Sequence, residues 1–232
     1  MTKLYGSLEA GGTKFVCAVG DENFQVVEKT QFPTTTPYET IERTVEFFKR
    51  YEDRLAGIAI GSFGPIDIDQ NSQTYGYITS TPKPHWSNID LLGLIAKEFN
   101  IPFYFTTDVN SSAFGETLVR KGVKSLVYYT IGTGIRGELI ELNSDVWDVQ
   151  AYYIAQAAVQ ATLLYRPQVI VFGGGVMAQE HMLNRVREKF VGLMNDYLPT
   201  PDVKEYIVTP AVAENGSATL GNFALAKKVS EK

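Results

Sequence analysis

Two short apolar runs, Leu4–Leu8 and Phe15–Val19, flank the segment Glu9-Ala10-Gly11-Gly12-Thr13-Lys14. Runs of that length on either side of paired glycines predict two strands joined by a tight turn, an N-terminal β-hairpin. Paired glycines let the backbone approach a ligand that a Cβ would exclude. Successive N–H groups in such a turn form a nest that holds an anion. Thr13 adds a hydroxyl, Lys14 a positive charge, and Glu9 has the oxygens to hold a cation beside them. The segment therefore suits a phosphate with its metal ion. It suits equally an ordinary hairpin whose glycines only make the turn. It is not the GxxxxGK[ST] loop that joins a strand to a helix.

The hairpin opens an α/β succession. The first half reads as strands Leu4–Glu9, Lys14–Val19 and Gln25–Thr30, then a helix from Pro37 to about Arg50 with Ile41, Val45 and Phe48 on one face. A buried strand Ala56–Ile60 follows, then an extended piece Tyr75–Thr79, a helix Ile89–Phe99, a strand Pro102–Phe105 and a helix Asn110–Arg120. The second half starts alike, with a strand Ser125–Ile131 running into Gly132-Thr133-Gly134-Ile135. Two more strands should follow if it repeats the first half. Instead a polar stretch, Arg136–Leu142, leads to a long helix from Asp145 to about Tyr165. A strand Gln168–Phe172, a glycine turn, a helix Gln179–Tyr197, a strand Tyr206–Val208 and a helix Ser217–Lys228 complete the chain. The expected domains are 1–121 and 122–216, with the last helix, 217–229, returning to the first.

Bulk properties exclude several classes. The chain has 232 residues and a formal net charge of −5 with no basic run, which argues against nucleic acid as a partner. Its single cysteine, Cys17, excludes an internal disulfide and a cysteine-rich zinc site, and is expected to be packing in a reducing compartment. No stretch has the length of a membrane-spanning helix and no signal peptide is visible, so the expected location is the cytoplasm.

Further motifs stand at predicted strand ends, where α/β sheets bind ligands. Gly61-Ser62-Phe63-Gly64-Pro65 either offers backbone amides to a small polar substrate or is a loop that needs unusual dihedrals. Asp108, within Thr106-Thr107-Asp108-Val109-Asn110, is either a helix cap, shared with Asn110, or a general base. Thr81-Pro82-Lys83-Pro84-His85-Trp86 is a loop, either over a substrate mouth with Trp86 stacking on a sugar or simply anchored at the surface. Gly173-Gly174-Gly175 ends a buried strand and suits a nucleotide base lying flat on backbone, although it is not a GxGxxG fingerprint. Tyr152, Tyr153, Ala155, Ala158 and Leu163 on the long helix read as a core face, as do Met177, Met182 and Met194. His85 and His181 stand far apart and earn no metal assignment.

Taken in order, Glu9–Lys14, Gly61–Pro65, Thr81–Pro84, Asp108–Glu116, Tyr129–Ile135, Val169–Val176 and Gly216–Leu225 resemble the fructokinase branch of the ROK family of bacterial sugar kinases. The resemblance implies two ribonuclease-H-like domains of the actin/hexokinase type facing a cleft, the second with a truncated sheet. It implies ATP and Mg²⁺ as cofactors and fructose or another hexose as substrate. Asp108 falls on the family's catalytic aspartate. Gly11, Gly12, Thr13 and Lys14, with Gly132, Thr133 and Gly134, fall on its phosphate turns, and Gly173, Gly174 and Gly175 on its nucleoside seat. Gly64, Pro65 and Thr107 fall on sugar contacts, Thr107 standing where many members carry Asn. Glu9 falls on a magnesium position where many members carry Asp. A homodimer is implied by the family alone.

One departure is large. After the second phosphate turn the family continues with Gly-rich strands, a Glu-x-Gly-His sugar element and a His/Cys cluster that binds structural zinc. Here Ile131–Ile135 joins directly to Arg136-Gly137-Glu138-Leu139, so an internal deletion is expected, with no zinc site and with impaired activity. Two other classes stay open: a nucleotide-binding remnant without transfer activity, and a sugar-responsive regulator. Regulators of this family carry a helix-turn-helix before the kinase-like part, whereas this chain reaches its first strand almost at once.

Overall fold

The computed structural model of the chain describes residues 2–131, 146–213 and 216–232. The chain divides into two compact units, Met1–Gly115 with Gly216–Lys232, and Glu116–Asn215.

In the first unit, β1 (Leu4–Ala10), β2 (Lys14–Gly20) and β3 (Val26–Pro33) form an antiparallel meander, and β4 (Leu55–Ser62) and β7 (Phe103–Thr107) extend it in parallel. The sheet order is β3-β2-β1-β4-β7. A two-stranded ribbon, β5 (Tyr77–Ile78) with β6 (Ile89–Asp90), lies in the long excursion from β4. Helix α1 (Pro37–Lys49) starts where the Thr36 side chain accepts the Glu39 N–H and proline fills its first turn. Helix α2 (Leu91–Ala96) starts at Asp90, which caps Gly93. The predicted helix Ile89–Phe99 is thus shorter, because Asp90 caps rather than continues it.

Strand alternation sorts the core. Leu4, Leu8, Ala10, Phe15 and Cys17 join Phe47, Phe48, Leu91 and Ile95 of α1 and α2 on one face. Tyr5, Ala18 and Ala59 meet Phe223, Leu225 and Ala226 of the C-terminal helix α7 (Ser217–Ser230) on the other. Cys17 is fully buried and its thiol is pushed up to about 12 by desolvation, so it packs and does not react. Trp86 is also fully buried, at 0% exposure. Its indole N–H donates to the Thr35 carbonyl at 2.8 Å, and its ring packs on Phe15 and Phe63. The reading of Trp86 as a sugar platform is therefore wrong. The two prolines break regular structure, but the indole that follows them is an anchor in the core.

The second unit holds a parallel sheet in the order β10-β9-β8, from β8 (Leu126–Thr130), β9 (Val169–Gly173) and β10 (Ile207–Val208). Helix α4 (Val146–Tyr165) joins β8 to β9 by way of residues outside the described set. A 3₁₀ turn (Gly175–Ala178), α5 (Met182–Met194) and the short α6 (Val203–Tyr206) join β9 to β10. The core face of α4 is Ala151, Ile154, Ala155, Ala158, Ala161 and Thr162, which pack with Met177, Met182 and Met194 and the strand residues. Tyr152, Tyr153 and Leu163, expected on that face, are exposed by 40–59%. A 3.6-residue period puts them off the stripe that starts at Ala151, and the small side chains, not the aromatic ones, mark the buried side. Among the described residues no helix is long and apolar enough to cross a membrane.

Candidate active site

Register gathers the first unit's motif residues. Across β1, β4 and β7 the pairing places Glu9 beside Gly61 and Gly61 beside Thr106, then Ala10 beside Ser62 and Ser62 beside Thr107. All three strands run parallel and end together, so the turns that leave them emerge side by side. The Gly11–Gly12 turn is closed by a bond from the Gly11 N–H to the Lys14 carbonyl at 3.0 Å. Thr34 clamps it, its hydroxyl donating to the Gly11 carbonyl at 2.7 Å. Gly11 and Gly12 are partly exposed, and Thr13 and Lys14 are exposed, with Lys14 Nζ donating to Gln31 at 2.9 Å. The chain leaving β4 bonds back to β1 through the Phe63 N–H and the Ala10 carbonyl at 2.7 Å. Gly64 and Pro65 follow, exposed and joined by a cis peptide bond.

Asp108 is the first residue of α3 (Asp108–Val119). The cap is neither Asp108 nor Asn110. The Thr107 hydroxyl accepts the Asn110 N–H at 3.0 Å, a role that a predicted helix start at Asn110 concealed. Capping by Thr107 leaves the Asp108 carboxylate the Val109 N–H, at 2.9 Å, as a neighbouring donor. Gly61 lets this happen. A Cβ there would stand 2.5 Å from Ser111 Oγ and 3.3 Å from the Asp108 Cα, so only glycine lets the helix start sit over β4. Asn222, at 0% exposure, fixes the same turn. It accepts the Ser111 hydroxyl at 2.6 Å and donates to Ser7 Oγ and the Leu8 carbonyl, each at 3.1 Å. One buried amide thus joins the first turn of α3 to the strand that carries Glu9.

Glu9 and Asp108 are both half-buried. Burial pushes the Glu9 carboxyl above its usual range, and the charge of Asp108 pushes it further, against Lys29 and Lys14. Burial likewise raises Asp108, against the backbone N–H groups at its helix start. Two crowded carboxylates with raised pKa values suit two tasks. One can accept a proton from a bound hydroxyl. The other has the hard oxygen chemistry of a hydrated Mg²⁺ site, which takes one or two carboxylates and leaves the remaining positions to water and phosphate. Among the described residues no three His, Cys, Asp or Glu side chains cluster as a metal site.

In the second unit, a cavity of about 260 Å³ opens at the carboxyl ends of β9 and β10. Gly173, Gly174, Met177, Ala178, Thr209, Pro210, Val212 and Ala213 line it. Gly174 has φ +95°, and a Cβ there would lie 2.4 Å from the Ile131 carbonyl oxygen. Gly175 opens the 3₁₀ turn and is not among the lining residues. The volume is below the ~300–1,000 Å³ of a complete small-molecule site, so it accommodates one part of a ligand. Gly132, Thr133 and Gly134 lie outside the described residues. A larger groove of about 530 Å³, between α1 and α2, has Ile41, Val45 and Leu94 in its lining and includes none of the motif residues.

The meander-plus-parallel sheet of the first unit and the parallel sheet of the second define a mixed α/β protein of the actin/hexokinase type. The crystal structure of a ROK hexokinase from Thermus thermophilus superposes with a TM-score of 0.74 at 16% identity, covering 99% of this chain and 100% of that one. The sequence model of the ROK family matches residues 5–144 and 138–229, and the chain belongs to that family. It is 65% identical to a fructokinase of Streptococcus mutans over 293 aligned positions, covering 100% of each chain. It is 42% identical to a fructokinase of Lactococcus lactis over 292, again covering 100% of each. An alignment of 293 positions against 232 residues leaves at least 61 with no counterpart here. The two family matches overlap at 138–144, a few residues beyond the expected junction between Ile135 and Arg136.

Proposed function

We propose that the chain is an ATP-dependent fructokinase of the cytoplasm that forms fructose 6-phosphate and ADP. The observation that carries this reading is the Glu9–Gly61–Thr106 row with Asp108 raised by burial at its end, in a chain 65% identical to a fructokinase. Asp108 accepts the proton of the attacking sugar hydroxyl, a contribution of roughly 10²–10⁴-fold. The hydroxyl oxygen bonds to the γ-phosphorus as the bond to the β-phosphate oxygen breaks, and ADP leaves. Gly64 and Pro65 offer the sugar an open strand end, and Thr107 fixes the helix that presents the base. Gly11–Lys14 hold phosphate, helped by Gly132–Gly134 as the family resemblance assigns them. Gly173 and Gly174 seat the nucleoside. Glu9 would hold Mg²⁺, which when bound neutralises charge on the phosphoryl oxygens.

The missing positions include the segment that in the family supplies a second set of sugar contacts. A sugar held by fewer groups meets the ~3–3.5 Å approach required for attack less often, so turnover is slow relative to the ordinary ~1–10³ s⁻¹. The full-length matches to two fructokinases favour this reading over an inert remnant or a regulator. A coupled assay of ADP release with fructose and MgATP tests it. Fructose-dependent release that falls about 10²–10⁴-fold in Asp108→Ala supports the assignment. Release that is independent of fructose, or unchanged in the variant, overturns it.

A further inference from the structure

Glu116 ends the stretch Asp108–Glu116 that carries part of the family resemblance, and the chemistry above does not use it. Its side chain is fully buried, at 0% exposure. Both its carboxylate oxygens accept the Ala211 N–H at 3.0 Å, and Oε2 accepts Arg120 Nε–H at 2.8 Å. Arg120, one turn further along α3 and 17% exposed, donates through Nη2 to the Thr209 carbonyl at 2.8 Å. The paired charges therefore grip the backbone on both sides of Pro210, a residue with no N–H of its own.

That backbone is a wall of the 260 Å³ cavity, since Thr209, Pro210, Val212 and Ala213 all line it. It follows β10 and, among the described residues, has no strand partner to satisfy or locate its peptide groups, so side-chain partners serve both purposes. General stabilisation is a poor explanation for the pair. A buried ion pair gains little over apolar residues of the same volume. The guanidinium holds the Thr209 carbonyl and the carboxylate holds the Ala211 N–H, so the pair fixes the loop in two places.

We propose that Glu116 and Arg120 are positioning residues of the nucleotide site, holding Thr209–Ala213 at the distance from Gly173 and Gly174 that a nucleoside requires. This rests on the reading of the cavity as the nucleoside seat. The test is calorimetric titration of the full chain with MgADP, alongside steady-state kinetics, for wild type, Arg120→Ala, Arg120→Lys, Glu116→Gln and Ala178→Trp. The last variant places an indole at the cavity itself.

Arg120→Ala is expected to weaken MgADP by about tenfold, the equivalent of one charge-assisted hydrogen bond. Arg120→Lys and Glu116→Gln, which keep one partner for the loop, should fall between it and wild type. The KM for MgATP should rise in parallel, with kcat at saturating MgATP within about twofold and the KM for fructose unmoved. A lowered melting temperature with unchanged MgADP affinity in the Arg120 and Glu116 variants, while Ala178→Trp loses affinity, overturns the positioning role and leaves the cavity assignment intact. Unchanged affinity in all four variants overturns the assignment of the cavity and the positioning role with it.

Discussion

The two units begin from the same plan and diverge after their first strand. Unit 1 completes the antiparallel meander β1–β2–β3 before adding β4 and β7 in parallel, whereas the described sheet of unit 2 has only the parallel set β8, β9 and β10. The parallel strands are what the two have in common, and both place their candidate ligand residues at the carboxyl ends. What the meander adds is charge. Its hairpin turn puts the charge of Lys14 within electrostatic reach of Glu9, and the aligned ends bring Glu9 towards Asp108. The cavity of unit 2 is lined by residues without a titratable group, and apart from Thr209 its side chains are apolar.

The contrast predicts that equivalent glycine substitutions fail differently. Gly61→Ala pushes on Ser111 and on the start of α3, so it should lower kcat by about 10²-fold, the cost of displacing a reacting group by roughly 1 Å, with MgADP affinity unchanged. Equal losses of kcat and MgADP affinity would erase the distinction. Next in size, Asn222→Ala leaves the Leu8 carbonyl and two buried hydroxyls short of a partner. Urea denaturation should show a loss of ~1–3 kcal/mol together with a reduced kcat. A variant as stable as wild type would show that the amide does not hold the site.

In unit 2, Gly174→Ala meets both a positive φ and a carbonyl oxygen, so it should weaken MgADP by about tenfold while leaving the KM for fructose unchanged. The smallest effect is one of pH. Burial raises the Asp108 pKa in the folded state above the unfolded value of about 3.9. Its ionisation therefore costs stability once the pH exceeds that value, increasingly up to the folded pKa and constantly beyond it. Asp108→Asn should melt above wild type at pH 7, and the advantage should shrink as the pH approaches about 4. For the same reason the acid limb of kcat/KM lies above the ordinary aspartate range. A melting difference that grows on acidification would reverse the sign of the assigned shift.

Most of the order of elements was legible in the chain, because apolar runs, glycine turns and Pro37 punctuate it. Where reading failed, the cause was a partner distant in sequence or a cap. Thr107 moved the start of α3 from Asn110 to Asp108 and took the capping role itself, so the suspected cap became the first residue of the helix. Trp86 looked exposed because it follows a proline-rich loop, yet its hydrogen-bond partner is Thr35. The tyrosines of α4 looked like core by composition, but the alanine stripe sets the buried face. Asn222 and Glu116 lie in stretches of family resemblance, and Glu116 stands four residues before Arg120, but nothing nearby in sequence announces the long-range bonds they make. Their partners lie 215 and 95 residues away, and only the folded chain brings them together. The lining of the cavity by Thr209 and Pro210 was missed although both follow a strand end, the same signal that had marked Gly173.

Phosphorus NMR of the wild-type chain with MgATP and fructose tests the central claim most directly, since slow turnover still accumulates product. The account predicts that the γ-phosphate signal of ATP declines as a sugar phosphomonoester and ADP grow in equal amounts, and that omitting fructose stops both. Growth of inorganic phosphate in place of the sugar ester, or ATP left intact with fructose present, would contradict it.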